Sequence, residues 1–227
     1  KEITGNIYKG KVVDILNNSE IIFVDIGLDK NALLSFENKK NIPKLNIDDK
    51  LIVQAETEPR DEKGVKLNLD YSINGENIVL LPKSKNLSIS KKIKDIKEVN
   101  RLKNIFLNID NGLILRTNSE GKSEDSLLEE YKKLKNIENR INRDFEKINI
   151  GLLYDVNSIL KKAESLLDDT IEEFIIDDKN IFEEIKVLLE ETGKKDLIKK
   201  LRKYFKDEEI FEYYNINSQI ERALDRK

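Results

Sequence analysis

The stretch that decides the fold of this chain is Gly112-Leu-Ile-Leu-Arg-Thr-Asn-Ser-Glu-Gly-Lys-Ser123. Its apolar start predicts a strand that ends at Arg116, a polar loop follows, and Ser123 is a typical helix N-cap. This order brings a guanidinium, a hydroxyl, free backbone N–H groups and a lysine to one edge of a sheet. Such groups hold a phosphate but perform no chemistry on it, so the stretch predicts a site that recognises an anion.

The Gly121-Lys122-Ser123 tripeptide invites comparison with the P-loop of nucleotide-binding proteins. A P-loop needs a first glycine five residues before the second, so that its backbone can wrap a phosphate. Position 116 is Arg, and ATP or GTP binding is therefore not expected. Residue types alone leave two interpretations open. Either Arg116 and Thr117 bind an anion, or Arg116 pairs with a nearby Glu while Thr117 caps a turn.

Composition excludes several classes of function. The 227 residues are 37% charged with a net charge of −3, so no overall attraction to nucleic acid exists. His and Cys are absent, which excludes disulfides, thiolate nucleophiles, imidazole bases and the usual zinc ligands. Met is absent as well, which predicts an excised piece of a longer protein. No apolar run approaches a membrane span and no signal peptide is visible, so we expect a cytoplasmic protein with no membrane partner.

Charge is unevenly distributed along the chain. Residues 70–123 contain 10 Lys and Arg against 6 Asp and Glu, whereas the flanking segments are acidic. A small basic excess is often only a solvated surface. Because this segment also contains the strand–loop–helix stretch, we interpret it as favouring an anion site.

Residues 1–69 are predicted to form short β-strands separated by turn residues. Five short antiparallel strands in so few residues suit a small closed barrel such as an OB-fold. The predicted strands are Ile7–Ile15, Glu20–Ile26, Ala32–Leu34, Lys50–Ala55 and Gly64–Leu69.

The rest of the chain mixes helices and strands, which predicts an α+β protein of several domains. Residues 70–150 are predicted to hold the strands Ile78–Pro82 and Gly112–Arg116, a basic loop, and helices over Val99–Phe106 and from Ser123 to about Phe145. Residues 151–227 are predicted to hold the strands Leu152–Tyr154 and Glu172–Ile176, and helices over Val156–Leu167, Lys179–Glu191, Asp196–Tyr204 and Ile216–Leu224.

No catalytic or metal-binding constellation is predicted. The acidic pairs, such as Asp168-Asp169 and Glu190-Glu191, are adjacent in sequence, so their side chains diverge. Phe23 lies on a predicted strand, where it either packs in the core or stacks on a base of single-stranded nucleic acid. Lys9 and Lys11 are candidates to follow a nucleic-acid backbone beside it.

Four motifs occur in the order found in a known family. They are Gly5-Asn-Ile-Tyr-Lys-Gly-Lys-Val12, Phe23-Val-Asp-Ile-Gly27, Gly112-Leu-Ile-Leu-Arg-Thr117 with Gly121-Lys-Ser123, and Asn217-Ser-Gln-Ile-Glu221. Together they resemble the bacterial ribonuclease E/ribonuclease G family over essentially the whole chain. The resemblance implies an OB-fold RNA-binding domain over residues 1–69, a sensor of RNA 5′-monophosphates over 70–150, and a partial ribonuclease-H-like α/β subdomain over 151–227.

The resemblance also implies roles for individual residues. It makes Arg116 and Thr117 the pair that grips the terminal phosphate, with lysines at two further positions where the family has arginine. A second RNA-contacting aromatic is expected near position 33, where this chain has Leu. The implied phosphate-binding set is Arg116, Thr117, Gly75, Val79, Lys91 and Lys92, and the implied RNA-binding set is Phe23 and Lys63.

Activity and partners follow from the same resemblance. The family cuts single-stranded RNA in RNA decay and in rRNA and tRNA processing, using Mg²⁺ bound by aspartates of a later, DNase-I-like subdomain. Zinc-binding cysteines that join family subunits also lie further on. We therefore expect this chain to bind single-stranded RNA that carries a 5′-monophosphate, to bind no Mg²⁺ itself, and to oligomerise only through other regions.

Two alternatives stay open at this point. The first is a non-catalytic RNA-binding or ribosome-associated module in which Arg116 is structural, and it predicts binding that depends on salt but not on the RNA end. The second is a complete hydrolase that uses one of the acidic pairs, and it predicts metal-dependent cleavage by this chain.

Overall fold

The computed structural model of the chain describes residues 2–16, 21–36, 43–59, 64–156, 158, 160, 163, 166–167, 170–191 and 193–224. The chain divides into two compact units, Lys1–Val156 and Asn157–Lys227. Within the described ranges, no helix is long and apolar enough to cross a membrane.

The first unit begins with a closed five-stranded barrel. Its strands are β1 (Ile7–Leu16), β2 (Ile21–Asp25), β3 (Ala32–Ser35), β4 (Lys50–Ala55) and β5 (Lys66–Asn68). They pair in the order β1-β2-β3-β5-β4, and β4 also pairs with β1. This ring confirms the predicted small barrel, and its strand order is that of an OB-fold-like barrel in an α+β protein.

One feature of the predicted barrel is wrong, because not all strand pairs are antiparallel. β3 and β5 run parallel, with Leu33 opposite Lys66 and Leu34 opposite Leu67. Directions cannot alternate all the way around a closed ring with an odd number of strands. A five-stranded ring therefore needs at least one parallel pair, and here it is formed by β3 and β5, which have β4 between them in the chain.

A second sheet follows the barrel. It consists of β6 (Ile73–Asn74), β7 (Ile78–Leu81), β8 (Leu87–Ile89) and β9 (Gly112–Leu115), in the order β6-β7-β9-β8. The sequence predicts β7 and β9 but assigns β8 to a loop, which is wrong. A three-residue strand is too short for a periodic signal, and parallel pairing with β9 is what forms it.

Two helices cover this sheet. Helix α1 (Ile96–Ile105) begins three residues earlier than predicted, because the Asp95 side chain accepts a hydrogen bond from the Lys97 N–H at 2.9 Å and caps it. Helix α2 (Glu124–Lys147) begins after Ser123, whose hydroxyl accepts from the Ser126 N–H at 3.3 Å. The predicted N-cap and the predicted long helix are confirmed.

The barrel and the second sheet share one unit through α2 and through β10 (Gly151–Tyr154), which pairs antiparallel with β1. Lys9 on β1 is buried, and its Nζ donates to the carbonyls of Phe145 and Ile148 at the end of α2. The prediction that Lys9 follows an RNA backbone is therefore wrong. Its ammonium group instead satisfies carbonyls that the helix end leaves free.

The second unit contains a two-stranded parallel sheet of β11 (Phe174–Ile176) and β12 (Leu201–Lys203). The helix predicted over Asp196–Tyr204 is wrong. A 3₁₀ helix over Lys195–Lys200 precedes β12, whose buried Leu201 pairs with Phe174. The predicted helices Lys179–Glu191 and Ile216–Leu224 are confirmed, and a short helix Ile210–Tyr213 was not foreseen. The helix predicted over 156–167 lies mostly outside the described residues.

Candidate anion-binding site

The second sheet brings three distant segments to one edge. β8 and β9 are parallel, so the residues after both strands lie at the same edge. β7 is antiparallel to β9 and therefore begins there, while β6 ends there. We call this group the polar edge, and it comprises Asn74–Asn77, Ser90–Lys92 and Arg116–Thr117.

Two hydroxyls join the segments after β8 and β9. The Ser90 N–H donates to the Leu115 carbonyl at 2.9 Å, and the Ser90 and Thr117 hydroxyl oxygens are 2.9 Å apart. One of the two hydroxyl hydrogens forms the hydrogen bond between Ser90 and Thr117. Among the described residues no acceptor takes up the second hydrogen, so the pair can donate one hydrogen bond to a ligand.

Arg116 extends from the end of β9 into solvent with its charge not neutralised. Its backbone N–H donates to the Asn77 carbonyl at 2.8 Å, and its Nη2 donates to the Asn74 side-chain oxygen at 3.3 Å. Asn74 is a neutral partner, and within the described part of the chain Arg116 forms no ion pair. Among the described residues, the structure therefore does not show the alternative in which Arg116 forms an ion pair with a nearby Glu.

The remaining phosphate-site candidates also lie at or near the polar edge. The Gly75 N–H donates to the Ile78 carbonyl at 2.8 Å, and Val79 is buried opposite Ile114 on β9. Gly75 thus lies in the turn between β6 and β7, and Val79 lies within β7. Lys91 and Lys92 are exposed in the turn that follows β8.

Glu130 on α2, which binds the turn between β6 and β7, was not predicted from the sequence. Its Oε1 accepts from the Asn77 N–H at 2.9 Å and from the Ile78 N–H at 3.2 Å. Its Oε2 accepts from the Asn77 side-chain amide at 2.6 Å. These partners are more than fifty residues away along the chain, so no local pattern could have revealed them.

The loop Ser119–Lys122, here the clamped loop, does not supply the free N–H groups that the sequence predicts. The Gly121 N–H donates to Glu98 Oε1 at 2.9 Å, and the Lys122 N–H donates to the Ser119 carbonyl at 3.2 Å. Arg101 Nη2 donates to the Lys122 carbonyl at 2.9 Å. This part of the prediction is wrong, because Glu98 of α1 takes up the Gly121 N–H and backbone carbonyls of residues 116–119 take up the other N–H groups of the loop.

Glu98 and Arg101 of α1 form the clamp itself. Arg101 Nε and Nη2 donate to the two carboxylate oxygens of Glu98 at 2.7 and 2.6 Å. The hydrogen bonds from Arg101, and then the one from the Gly121 N–H, lower the pKa of Glu98 to about 2. Glutamate and arginine three residues apart on a helix are a sequence signal for such a pair, although their loop partner is not.

On the barrel, Phe23 faces away from the core. Its neighbours Ile22 and Val24 are fully buried, whereas Phe23 is partly exposed and lies opposite Leu33 on β3. This is the side on which an aromatic ring can meet a base. Lys11 on β1 pairs with Asp48 at 3.4 Å, and Lys63 lies outside the described residues.

Carboxylates do not form a metal site in the part of the chain that the structure describes. There, no three acidic side chains come together to hold a metal ion. Mg²⁺ requires several oxygen ligands in near-octahedral geometry, so the described residues do not fit that ion.

Comparison with known proteins gives a consistent result. The sequence model of the Ribonuclease E/G family matches residues 72–227. Ribonuclease G of Haemophilus influenzae is 29% identical over an alignment of 248 residues. The alignment covers 99% of this chain and 50% of that protein. Ribonuclease G of Escherichia coli K12 is 28% identical with the same coverage. Ribonuclease E of Buchnera aphidicola subsp. Schizaphis graminum is 30% identical over 98% of this chain and 25% of its own length. The chain thus spans about half the length of these ribonucleases G.

Proposed function

The chain belongs to the ribonuclease E/G family, and from this premise we propose that it binds single-stranded RNA and recognises a 5′-monophosphate at the polar edge. One observation carries the proposal. The exposed Arg116 guanidinium has only the neutral Asn74 oxygen as a side-chain partner within the described residues, and the Ser90–Thr117 hydroxyl pair lies beside it. A terminal phosphate can accept hydrogen bonds from the guanidinium and from the hydroxyl pair at the same time.

The phosphate would be recognised by charge and geometry together. A terminal monophosphate carries a charge of roughly −1.5 to −2 at neutral pH and presents three acceptor oxygens. Two of them can accept from the guanidinium and a third from the hydroxyl pair. Lys91 and Lys92 add positive charge at the same edge, and the Gly75–Val79 backbone forms the floor on which the phosphate lies.

A 5′-hydroxyl end would bind more weakly because it leaves Arg116 without an anion. Loss of a charge-assisted hydrogen bond costs about 1.5–3 kcal/mol, which is roughly a 10- to 150-fold loss of affinity. A triphosphate would also bind more weakly, because its bulk and extra charge exceed what this small group of donors can surround.

The barrel would hold the RNA strand while the polar edge reads its end. Phe23 offers an aromatic face to one base, a contact worth about 1–3 kcal/mol, and the family resemblance makes Lys63 a further RNA contact. RNA cleavage is proposed for the complete family protein, in which Mg²⁺ activates water. Because the described carboxylates do not fit Mg²⁺, no catalytic step is assigned to them.

The test compares oligoribonucleotides of one sequence that carry a 5′-monophosphate, a 5′-triphosphate or a 5′-hydroxyl. Fluorescence anisotropy of the unmutated chain should give the lowest Kd for the monophosphate, and Arg116→Ala should bring the three values together. Equal Kd values for all three ends in the unmutated chain would refute the sensor and favour an RNA-binding module that ignores the end.

A further inference from the structure

We propose that Glu130 is the positioning residue of the polar edge, because it fixes the turn that orients Arg116. This inference rests on the proposed end recognition for its effect on RNA, but its structural part can be tested without RNA. Glu130 itself touches no ligand in this account. It acts through Asn77 and Asn74.

The first step is the hold of α2 on the turn. Three donors of the turn converge on one half-buried carboxylate: the Asn77 N–H, the Asn77 side-chain amide and the Ile78 N–H. Asn77 is only 5% exposed, so these groups cannot turn to water instead. Buried donors left without an acceptor cost free energy, and the turn is therefore fixed where Glu130 is.

The second step is the link from the turn to Arg116. The Asn77 carbonyl accepts from the Arg116 N–H at 2.8 Å, and Asn74 at the other end of the turn accepts from Nη2 at 3.3 Å. The backbone and the guanidinium of Arg116 are thus both hydrogen-bonded to the same turn. A guanidinium makes two parallel bonds to a phosphate at a lower entropic cost when its plane is already restrained, and the turn supplies that restraint.

A steric feature supports the same arrangement and explains Gly75. A Cβ added at Gly75 would lie 2.2 Å from Glu130 Oε1 and 2.9 Å from the Ile78 carbonyl oxygen. No side chain fits while Glu130 holds the turn. Gly75 therefore provides the space in which the carboxylate reaches its three donors.

Because the carboxylate oxygens of Glu130 are hydrogen-bonded to the turn, Glu130 is compatible with an anion site nearby. A bare carboxylate near the polar edge would repel phosphate or pair with Arg116. The carboxylate oxygens of Glu130 instead accept hydrogen bonds from N–H groups of the turn, and the side-chain partner of Arg116 is the neutral Asn74. The turn is thus fixed while Arg116 has no carboxylate partner among the described residues.

The experiment uses Glu130→Ala, with Glu129→Ala as the matched control. Glu129 is the neighbouring residue on α2, is exposed, and pairs only with Lys133 at 3.4 Å among the described residues. In the RNA-free chain, Glu130→Ala should shift the side-chain Nε–Hε NMR signal of Arg116, whereas Glu129→Ala should not. An unchanged Arg116 signal in Glu130→Ala overturns the inference, whatever RNA binding shows.

The RNA readout is the ratio of Kd values for 5′-hydroxyl and 5′-monophosphorylated oligoribonucleotides of one sequence. Glu130→Ala should lower this ratio roughly 5- to 20-fold while the Kd for the 5′-hydroxyl RNA stays within about twofold. In an Arg116→Ala background the same substitution should change the ratio by less than about twofold, because both residues act through one contact. A full additional loss in that background, or an unchanged ratio in Glu130→Ala alone, contradicts the inference.

Two more variants keep the test decisive if Glu130→Ala does not fold. Glu130→Gln should retain most of the ratio, because the Asn77 amide can rotate and offer its Oδ1, which has no partner in the described structure. Gly75→Ala should lower the ratio by displacing the carboxylate. If Gly75→Ala leaves the ratio unchanged, the inference fails. If the unmutated chain shows no end preference, the proposed function fails, and the Arg116 signal alone decides the role of Glu130.

Discussion

The polar edge and the clamped loop lie only a few residues apart and contain similar groups, yet the fold treats them in opposite ways. At the polar edge, Arg116 keeps a single neutral side-chain partner within the described residues. In the clamped loop, Glu98 and Arg101 take up the Gly121 N–H and the Lys122 carbonyl. The difference teaches that phosphate-binding residue types mark a candidate site, while the partners supplied by the fold decide which donors are left for a ligand.

The largest expected effect tests the geometry of the polar edge. Arg116→Lys keeps the positive charge but loses the planar pair of donors, so it should lower the preference for a 5′-monophosphate over a 5′-hydroxyl roughly tenfold. Anisotropy titrations with both RNA ends measure this preference. If Arg116→Lys retains the full preference, charge alone explains recognition and the geometric argument is wrong.

The matched change in the clamped loop should affect stability instead. Arg101→Ala removes both guanidinium donors from Glu98, which keeps the Gly121 N–H, and takes the Arg101 donor from the Lys122 carbonyl. We expect a loss of about 1–2 kcal/mol in the free energy of unfolding. Urea denaturation measures this loss. The end preference should stay within about twofold of the unmutated value, and a large drop would show that the two regions are not separate.

Acid should loosen the clamped loop. The folded pKa of Glu98 is about 2, below its ordinary value of 4.5, so the unfolded chain binds the extra proton first as pH falls. The stabilisation from Glu98 is therefore complete above about pH 4.5 and is lost as pH falls towards 2. Unfolding free energies measured across this range should fall less steeply in Glu98→Gln. An unaltered slope would mean that the clamp is not formed in solution.

The smallest effect is expected for Lys122→Ala. The loop uses the backbone of Lys122, whose N–H and carbonyl are both bonded, while its side chain is exposed. Loss of the side chain should change the unfolding free energy by less than about 0.5 kcal/mol and leave the end preference unaltered. A marked loss of RNA affinity would show that the Lys122 side chain contacts RNA.

Local signals in the sequence predicted much of the fold. Short runs of β-branched and aromatic residues separated by turn residues predicted the barrel, and the N-cap at Ser123 predicted the start of α2. Prediction failed where distant partners decide. β8 is a strand only because it pairs with β9, and residues 201–203 form a strand because they pair with β11. Short segments carry too little periodicity to reveal such pairing.

The positions of the candidate binding residues were more predictable than those of the residues that contact and support them. Arg116 and Thr117 follow directly from the end of an apolar strand, and the parallel β8–β9 pair brings Ser90 beside them. Asn74 and Glu130 could not be foreseen, because each contacts its partner across more than forty residues of chain. Lys9 was wrongly predicted as an RNA contact because lysine is a common RNA-binding residue type. Its side chain is instead buried against the end of α2.

The most direct test of the central claim follows the Nε–Hε NMR signals of Arg116 and Arg101 in one sample. A 5′-monophosphorylated oligoribonucleotide is added first, and the same sequence with a 5′-hydroxyl is added to a second sample. The account predicts that the monophosphate shifts Arg116 and leaves Arg101 unchanged, and that the hydroxyl end shifts neither. Equal shifts of Arg116 with both ends, or a shift of Arg101 in place of Arg116, would contradict it.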